Sequence, residues 1–305
     1  DLCGPMLQAV HFVIQALGLH DEVFPAEAGA PAPFQDSQGL YRADLLYGRR
    51  DILPSTLAEN RWSRLLYRKT ALITSQYCDN HLITFAEIFA LYLLSWSPTL
   101  WDLMPWQRFA QEAESLAVPQ QLLYAQEKEA LDNFIAGLPQ VQRLLAHLPT
   151  YMIFDDHDVT DDWNLSEAWE NAVYGHPFSR RIIGNALMAY WICQGWGNDP
   201  ERFEPHWEDA LCYGQNPTPQ NHEHWIQQLL RFQRWDYHLE TDPFVLVLDT
   251  RTRRWPASIH ANRPSGLMDR AALQDTLAQL KHHQNVILIS AAPVFGLKWI
   301  ETLQH

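Results

Sequence analysis

Basic residues are scarce in this chain of 305 residues. Lys and Arg number 22 against 36 Asp and Glu, for a formal net charge of −14. A protein that grips nucleic acid normally shows a basic face. Here Arg49-Arg50, Arg180-Arg181 and Arg253-Arg254 are isolated pairs, so no nucleic-acid-binding surface is evident. Cysteine is scarce as well. Cys3, Cys78, Cys193 and Cys212 have no zinc-type spacing and are expected as free thiols, a usage that fits a cytoplasmic or an exported protein equally. No uninterrupted apolar run approaches the roughly 18 residues of a membrane span, and no repeat or low-complexity tract is visible. An anionic substrate must therefore find its positive partner in metal ions and a few placed arginines. Aromatic residues are plentiful: 13 Trp, 11 Tyr and 13 Phe suit either an interior packed with large side chains or a lined cleft.

The N-terminal half reads as mostly helical. Pro5 opens a helix with Leu7, Val10, Ile14 and Leu17 on one stripe, and Gly18 is placed to end it. Prolines and glycines between residues 24 and 39 predict a surface loop, and residues 41–68 a partly helical mixture. An apolar helix follows Asn80-His81-Leu82 and runs through Leu94, with His81 and Glu87 as capping or core-polar groups. Residues 119–147 predict two helices broken at Gly137-Leu138-Pro139. Beyond residue 149 the pattern alternates. A buried helix over Ser179–Gly195, an amphipathic helix over Trp225–Trp235 and another over Asp269–His283 intersperse with continuous apolar runs. Asn221-His222-Glu223-His224 reads as a solvated helix start. The boundary drawn is 1–148 for a helical region and 149–305 for an α/β core.

Three apolar runs, Tyr151–Phe154, Phe244–Leu248 and Val286–Ile289, read as strands covered on both faces. In α/β sheets ligand sites form beyond the carboxyl ends of such strands. The first exit is Asp155-Asp156-His157-Asp158-Val159-Thr160-Asp161-Asp162-Trp163-Asn164, and the second is Asp249-Thr250-Arg251-Thr252-Arg253-Arg254. Carboxylates at this density repel one another and are costly to desolvate without a cation among them. Hard oxygen ligands suit Mg, Ca, Mn or Fe ions. Two such ions, a histidine to protonate a leaving group and an arginine for a phosphate oxygen make a coherent phosphoester-hydrolysing set. Each residue also has a plainer role. His157 and Asp158 can form a strand-end pair, Asp249 and Arg251 an ion pair, and Asp161, Asp162 and Asn164 turn and cap groups for a helix from Ser166.

The string from Phe154 to Asn164 resembles the acidic block of PhoD-type alkaline phosphatases, in the metallophosphatase (calcineurin-like phosphoesterase) superfamily. Leu248-Asp249-Thr250-Arg251 resembles that family's strand-end Asp-Thr-Arg. Asn80-His81-Leu82, Trp96-Ser97-Pro98 and Ser290-Ala291-Ala292-Pro293 resemble a bacterial PhoD-like branch. The resemblance implies a partial α/β/β/α sandwich with a large helical insertion in its N-terminal half. It implies metal-dependent hydrolysis of phosphate mono- or diesters by a metal-activated water, with two divalent or trivalent ions among Ca, Fe, Mn, Mg and Zn. Asp156 falls on a metal-ligating position and Asp155 beside it, on a position where the family has Gly. His157 falls on the histidine facing the scissile ester and Asp158 on the acidic residue that orients it, while Arg251 is expected on substrate from the chemistry of its planar fork. The family's upstream Gly-Asp-x-x-Tyr and downstream Gly-Asp-x-His motifs do not occur between Asp1 and His305. The chain is thus expected to be the middle of such an enzyme, inactive alone. The alternative is a non-catalytic member whose aromatic-rich surface binds a glycan, lipid or protein partner.

Overall fold

The computed structural model describes residues 2–19, 37–56, 70–75, 78–157, 159–256 and 265–293. Of the loop expected over 24–39, residues 24–36 lie outside them, as do 57–68, Asp1, Asp158 and His305, while Ser37–Tyr41 forms a short 3-10 helix.

Helix α1, Gly4–Leu17, starts on Pro5 and stops at Gly18, whose φ of 60° is the left-handed conformation glycine tolerates. Met6, Ala9, Val10 and Val13 of α1 share a core with Ala86, Ala90 and Leu94 of helix α2, Phe85–Trp96. Alanines at this contact let the two backbones approach closely. Thr84 begins α2 through a reciprocal capping box: its hydroxyl accepts from the Glu87 N–H, and the Glu87 carboxylate accepts from the Thr84 and Ile83 N–H groups. The same buried carboxylate meets Arg49 at 2.6 Å and His11 at 3.0 Å, while Arg49 also donates to the His81 carbonyl at 2.8 Å. His81 spans to the Val159 carbonyl at 2.8 Å, tying α2's entry to the acidic block.

Helix α3 covers Trp106–Ala113, and α4 runs unbroken from Val118 to His147 with Pro139 inside it. The expected break at Gly137-Leu138-Pro139 is absent. Tyr124, Leu131 and Leu138, seven residues apart, are the buried residues of α4 and form one seam against the body. A break at 137–139 would swing Leu138 off that seam, so burial holds the helix straight against the proline's lost hydrogen bond.

Helices then continue through the central part of the chain: α5, Glu167–Gly175; α6, Pro177–Tyr190, prolonged by a π turn over Trp191–Gly195; α7, Trp207–Gln215; and α8, Pro219–Arg231. All of α6 except Pro177 and Arg180 is buried. It crosses α8 at Gly184, where a β-carbon would collide with the Ile226 side chain. The amphipathic helix starts earlier and ends sooner than its apolar residues suggested, because Thr218 caps it and Pro219 opens it. His222 is not solvated. It is buried on Asn185 at 2.7 Å, and Glu223 pairs with Arg180 at 2.7 Å.

Besides the two-residue ladder of β1, Ser55–Thr56, and β2, Thr70–Ala71, there is one three-stranded sheet among the described residues. Its order is β3, Tyr237–Leu239; β4, Phe244–Val247; β5, Val286–Ile289, with β3 antiparallel and β5 parallel to β4. Helix α9, Arg270–Leu280, makes the crossover and places Leu280 against Phe244, Leu246 and Leu248. One strand expectation fails, and another holds for the strand but not for its burial on both faces. Tyr151–Phe154 joins no ladder: the Asn198 amide clamps both polar groups of Met152, at 3.0 and 2.7 Å, in place of a neighbouring strand. Tyr237 also donates to the Met152 carbonyl. Val286–Ile289 is an edge strand, with Ile287, Leu288 and Ile289 exposed by 46, 46 and 40%.

Candidate functional site

The acidic residues sit in a tight turn hung from Phe154. Its half-buried ring meets Trp163 edge-on at 5.1 Å and Tyr190 at 4.6 Å, which fixes the backbone just before Asp155. The Asp156 carbonyl then accepts from the N–H groups of Val159 and Thr160, both at 2.8 Å, closing the turn. Buried Thr160 anchors it from behind, its hydroxyl accepting from the Thr74 N–H at 3.1 Å.

The loop after β4 reaches the same place. Asp249 caps that loop: its carboxylate accepts from the Arg251 and Thr252 N–H groups at 3.0 and 2.9 Å and from the Thr252 hydroxyl. It makes no ion pair with Arg251, and that guanidinium extends instead to the acidic turn. Nη2 donates to Asp155 Oδ1 at 2.6 Å, and Nε lies 2.6 Å from Asp156 Oδ1. The two loops are stitched again by Asn164, in the left-handed conformation at φ 54°. Its amide donates to the Arg251 and Thr252 carbonyls, and its oxygen accepts from Tyr174 at 2.8 Å. Asn164 is therefore a buried staple. The cap of α5 is Ser166, which accepts from the Trp169 N–H. Arg253 turns away to Asp269.

Asp155, Asp156 and His157 each offer a ligand atom within 4.8 Å of the others. Their environments differ. Asp155 is half exposed; burial pushes its pKa up, but the Arg251 bonds outweigh this and hold it below the usual carboxylate value. Asp156 is 2% exposed, and burial raises its pKa to about 6 against the opposing pull of Arg251 and Arg254. Its Oδ2 is buried without any hydrogen-bond partner. His157 is open to solvent, its side chain 68% exposed, and its Nδ1 lies 3.2 Å from Asp161, which raises the imidazole pKa. The partner of His157 is thus Asp161, one turn on, while Asp158 lies outside the described residues.

The donor set fits a hard cation. Two carboxylates and an imidazole converge, and an orphaned buried oxygen is a costly feature that a cation would relieve. Three donors fill about half of an octahedral shell; Asp249, whose oxygens are spent on its own loop, is not one of them. Sequence reasoning singled out Asp155, Asp156, His157 and Arg251, which the fold brings together, but missed the stapling role of Asn164 and the pairing of Asp161. The one signal was the residue type: Asn adopts the left-handed conformation more readily than other side chains, as Asn164 does at φ 54°. No protein-family model, curated protein or solved structure matches this chain.

Proposed function

We propose that this chain carries the central ligand block of a metal-dependent phosphoesterase acting on phosphate mono- or diesters. The observation that supports this most is the unpartnered Asp156 Oδ2, buried within a cluster of three convergent donors. Asp155 and Asp156 would hold the ion, with His157 beside them as the proton donor, and Arg251 fastens the two carboxylates side by side. A bound cation supplies charge stabilisation to the phosphate and acidifies a coordinated water. His157 supplies a proton: with Asp161 raising its pKa, more of the imidazole is protonated near neutrality, ready for a leaving oxygen. A one-ion site built from the described residues and a two-ion site completed by further ligands both accommodate these roles.

The test is hydrolysis of an activated phosphodiester and a phosphomonoester by the protein, with and without chelator. Hydrolysis is expected to vanish with chelator and to fall about a hundredfold in His157→Ala and Asp156→Asn. Turnover indifferent to chelator and to both substitutions would sink this reading.

The second reading, a binding module without catalysis, rests on an apolar hollow of about 360 Å³ lined by Phe89, Trp196, Trp207 and Leu211 among others. Capture of an apolar ligand there by a protein with no chelator-sensitive turnover would favour it.

A further inference from the structure

A separate cleft of about 280 Å³ opens directly beside the acidic turn, and Asp155 is one of its walls. Ile88, Leu91, Tyr92 and Ser95 of α2 line it. Their spacing of three, four and seven makes them one face of the helix, with Ala186 and Tyr190 of α6 and Gln194 of its π turn on the facing side of the cleft. Phe154 and Tyr190, in contact at 4.6 Å, line the cleft as well. Trp96 extends the aromatic lining, edge-on to Tyr92 at 5.0 Å. No lysine, arginine or histidine is among the described lining residues, and the Tyr92 hydroxyl accepts from Gln194 at 2.8 Å.

We propose that this cleft receives the alcohol part of the phosphate ester, making aryl or alkyl phosphates the preferred substrates. The inference rests on the phosphoesterase reading and deepens it, because one residue, Asp155, belongs to both the cation cluster and the cleft. An ester whose phosphate sits on the cluster must direct its organic group along that shared wall. Apolar and aromatic lining rewards burial of a ring or chain. A second anionic group would meet Asp155 with no cation in the described lining. The volume equals that of about nine liquid waters, enough for a ring with its substituents.

Two non-hydrolysable probes test this on the chain in Mn²⁺: phenylphosphonate and methylphosphonate, titrated calorimetrically, with Leu91→Asn alongside and its fold checked by circular dichroism. Phenylphosphonate is expected to bind at least tenfold more tightly, and Leu91→Asn to erase most of that difference. Equal Mn²⁺-dependent binding of both probes overturns the cleft assignment and leaves the phosphoesterase reading standing. A phenyl preference that survives in folded Leu91→Asn also overturns it, placing the ring elsewhere. Binding of neither probe overturns the assignment together with the reading beneath it.

Discussion

A guanidinium and a cation compete for the same oxygens at Asp155 and Asp156. Arg251 reaches both carboxylates at 2.6 Å with its own side chain buried, so its removal takes from Asp156 its directly paired counter-charge in a dry setting and leaves only the pull of Arg254. Arg251→Met is expected to cost about 3 kcal/mol in the absence of divalent ions, as loss of one partner from a buried pair does. Mn²⁺ should then raise the melting temperature of the variant more than that of the parent, since a bound ion stabilises the folded state by mass action. Equal shifts, or none, in a thermal melt would show that these carboxylates do not take the ion. The acidic string and Arg251 were legible as site residues because five aspartates beside a histidine are expensive unless neutralised. Which positive group neutralises them was not legible, since the pair is separated by about 95 positions and no local spacing encodes it. The contact of His157 with Asp161 was not legible either, since it depends on the turn that brings residues four apart together, while the expected partner Asp158 lies outside the described residues.

Elements follow their apolar pattern where burial agrees with it and depart where one contact overrides it. The stop at Gly18 was readable from glycine, and the buried helix expected over Ser179–Gly195 from its all-round apolar pattern, although it starts two residues earlier at Pro177. A four-residue apolar run such as Tyr151–Phe154 was not, because its length suits any buried extended segment and the clamp lies at Asn198. Gly137 and Gly184 both lie inside helices and look alike in sequence, yet their surroundings are opposite. A β-carbon at Gly137 meets nothing within 4 Å, whereas at Gly184 it meets Ile226. Gly137→Ala is expected to stabilise the protein by about 0.5–1 kcal/mol through helix propensity alone. Gly184→Ala should destabilise it by about 1–3 kcal/mol through overpacking of the α6–α8 crossing. Urea unfolding of the two variants gives opposite shifts in midpoint if the crossing is as tight as described.

At the scale of the whole molecule, the buried group Arg49–Glu87–His11 joins α1, the start of α2 and the 49–51 turn, and His81 links it onward to the acidic block. Stability should therefore depend on pH through this group. Burial alone would push the Glu87 pKa up, but Arg49 and the His11 hydrogen bond outweigh it and hold the carboxyl well below its ordinary 4.5. The unfolded chain thus takes up a proton near pH 4.5 that the folded chain refuses, so the stabilisation is fully present above that pH and fades as pH falls further. Burial also lowers the pKa of His11 and His81 beneath 6.5, so erosion begins as pH falls through 6.5. Asp156 runs the other way: its raised value near 6 favours the folded state at low pH and partly offsets the histidines. A single variant separates the terms. Glu87→Gln removes the carboxyl and strands the Arg49 charge, so the parent should exceed it by about 3 kcal/mol or more at pH 7. The gap should narrow steadily in urea titrations below pH 4.5, as the parent's own carboxyl becomes neutral. A gap that stays constant down to pH 3 would mean that Glu87 acts through its shape and hydrogen bonds, and that charge does not hold these elements together.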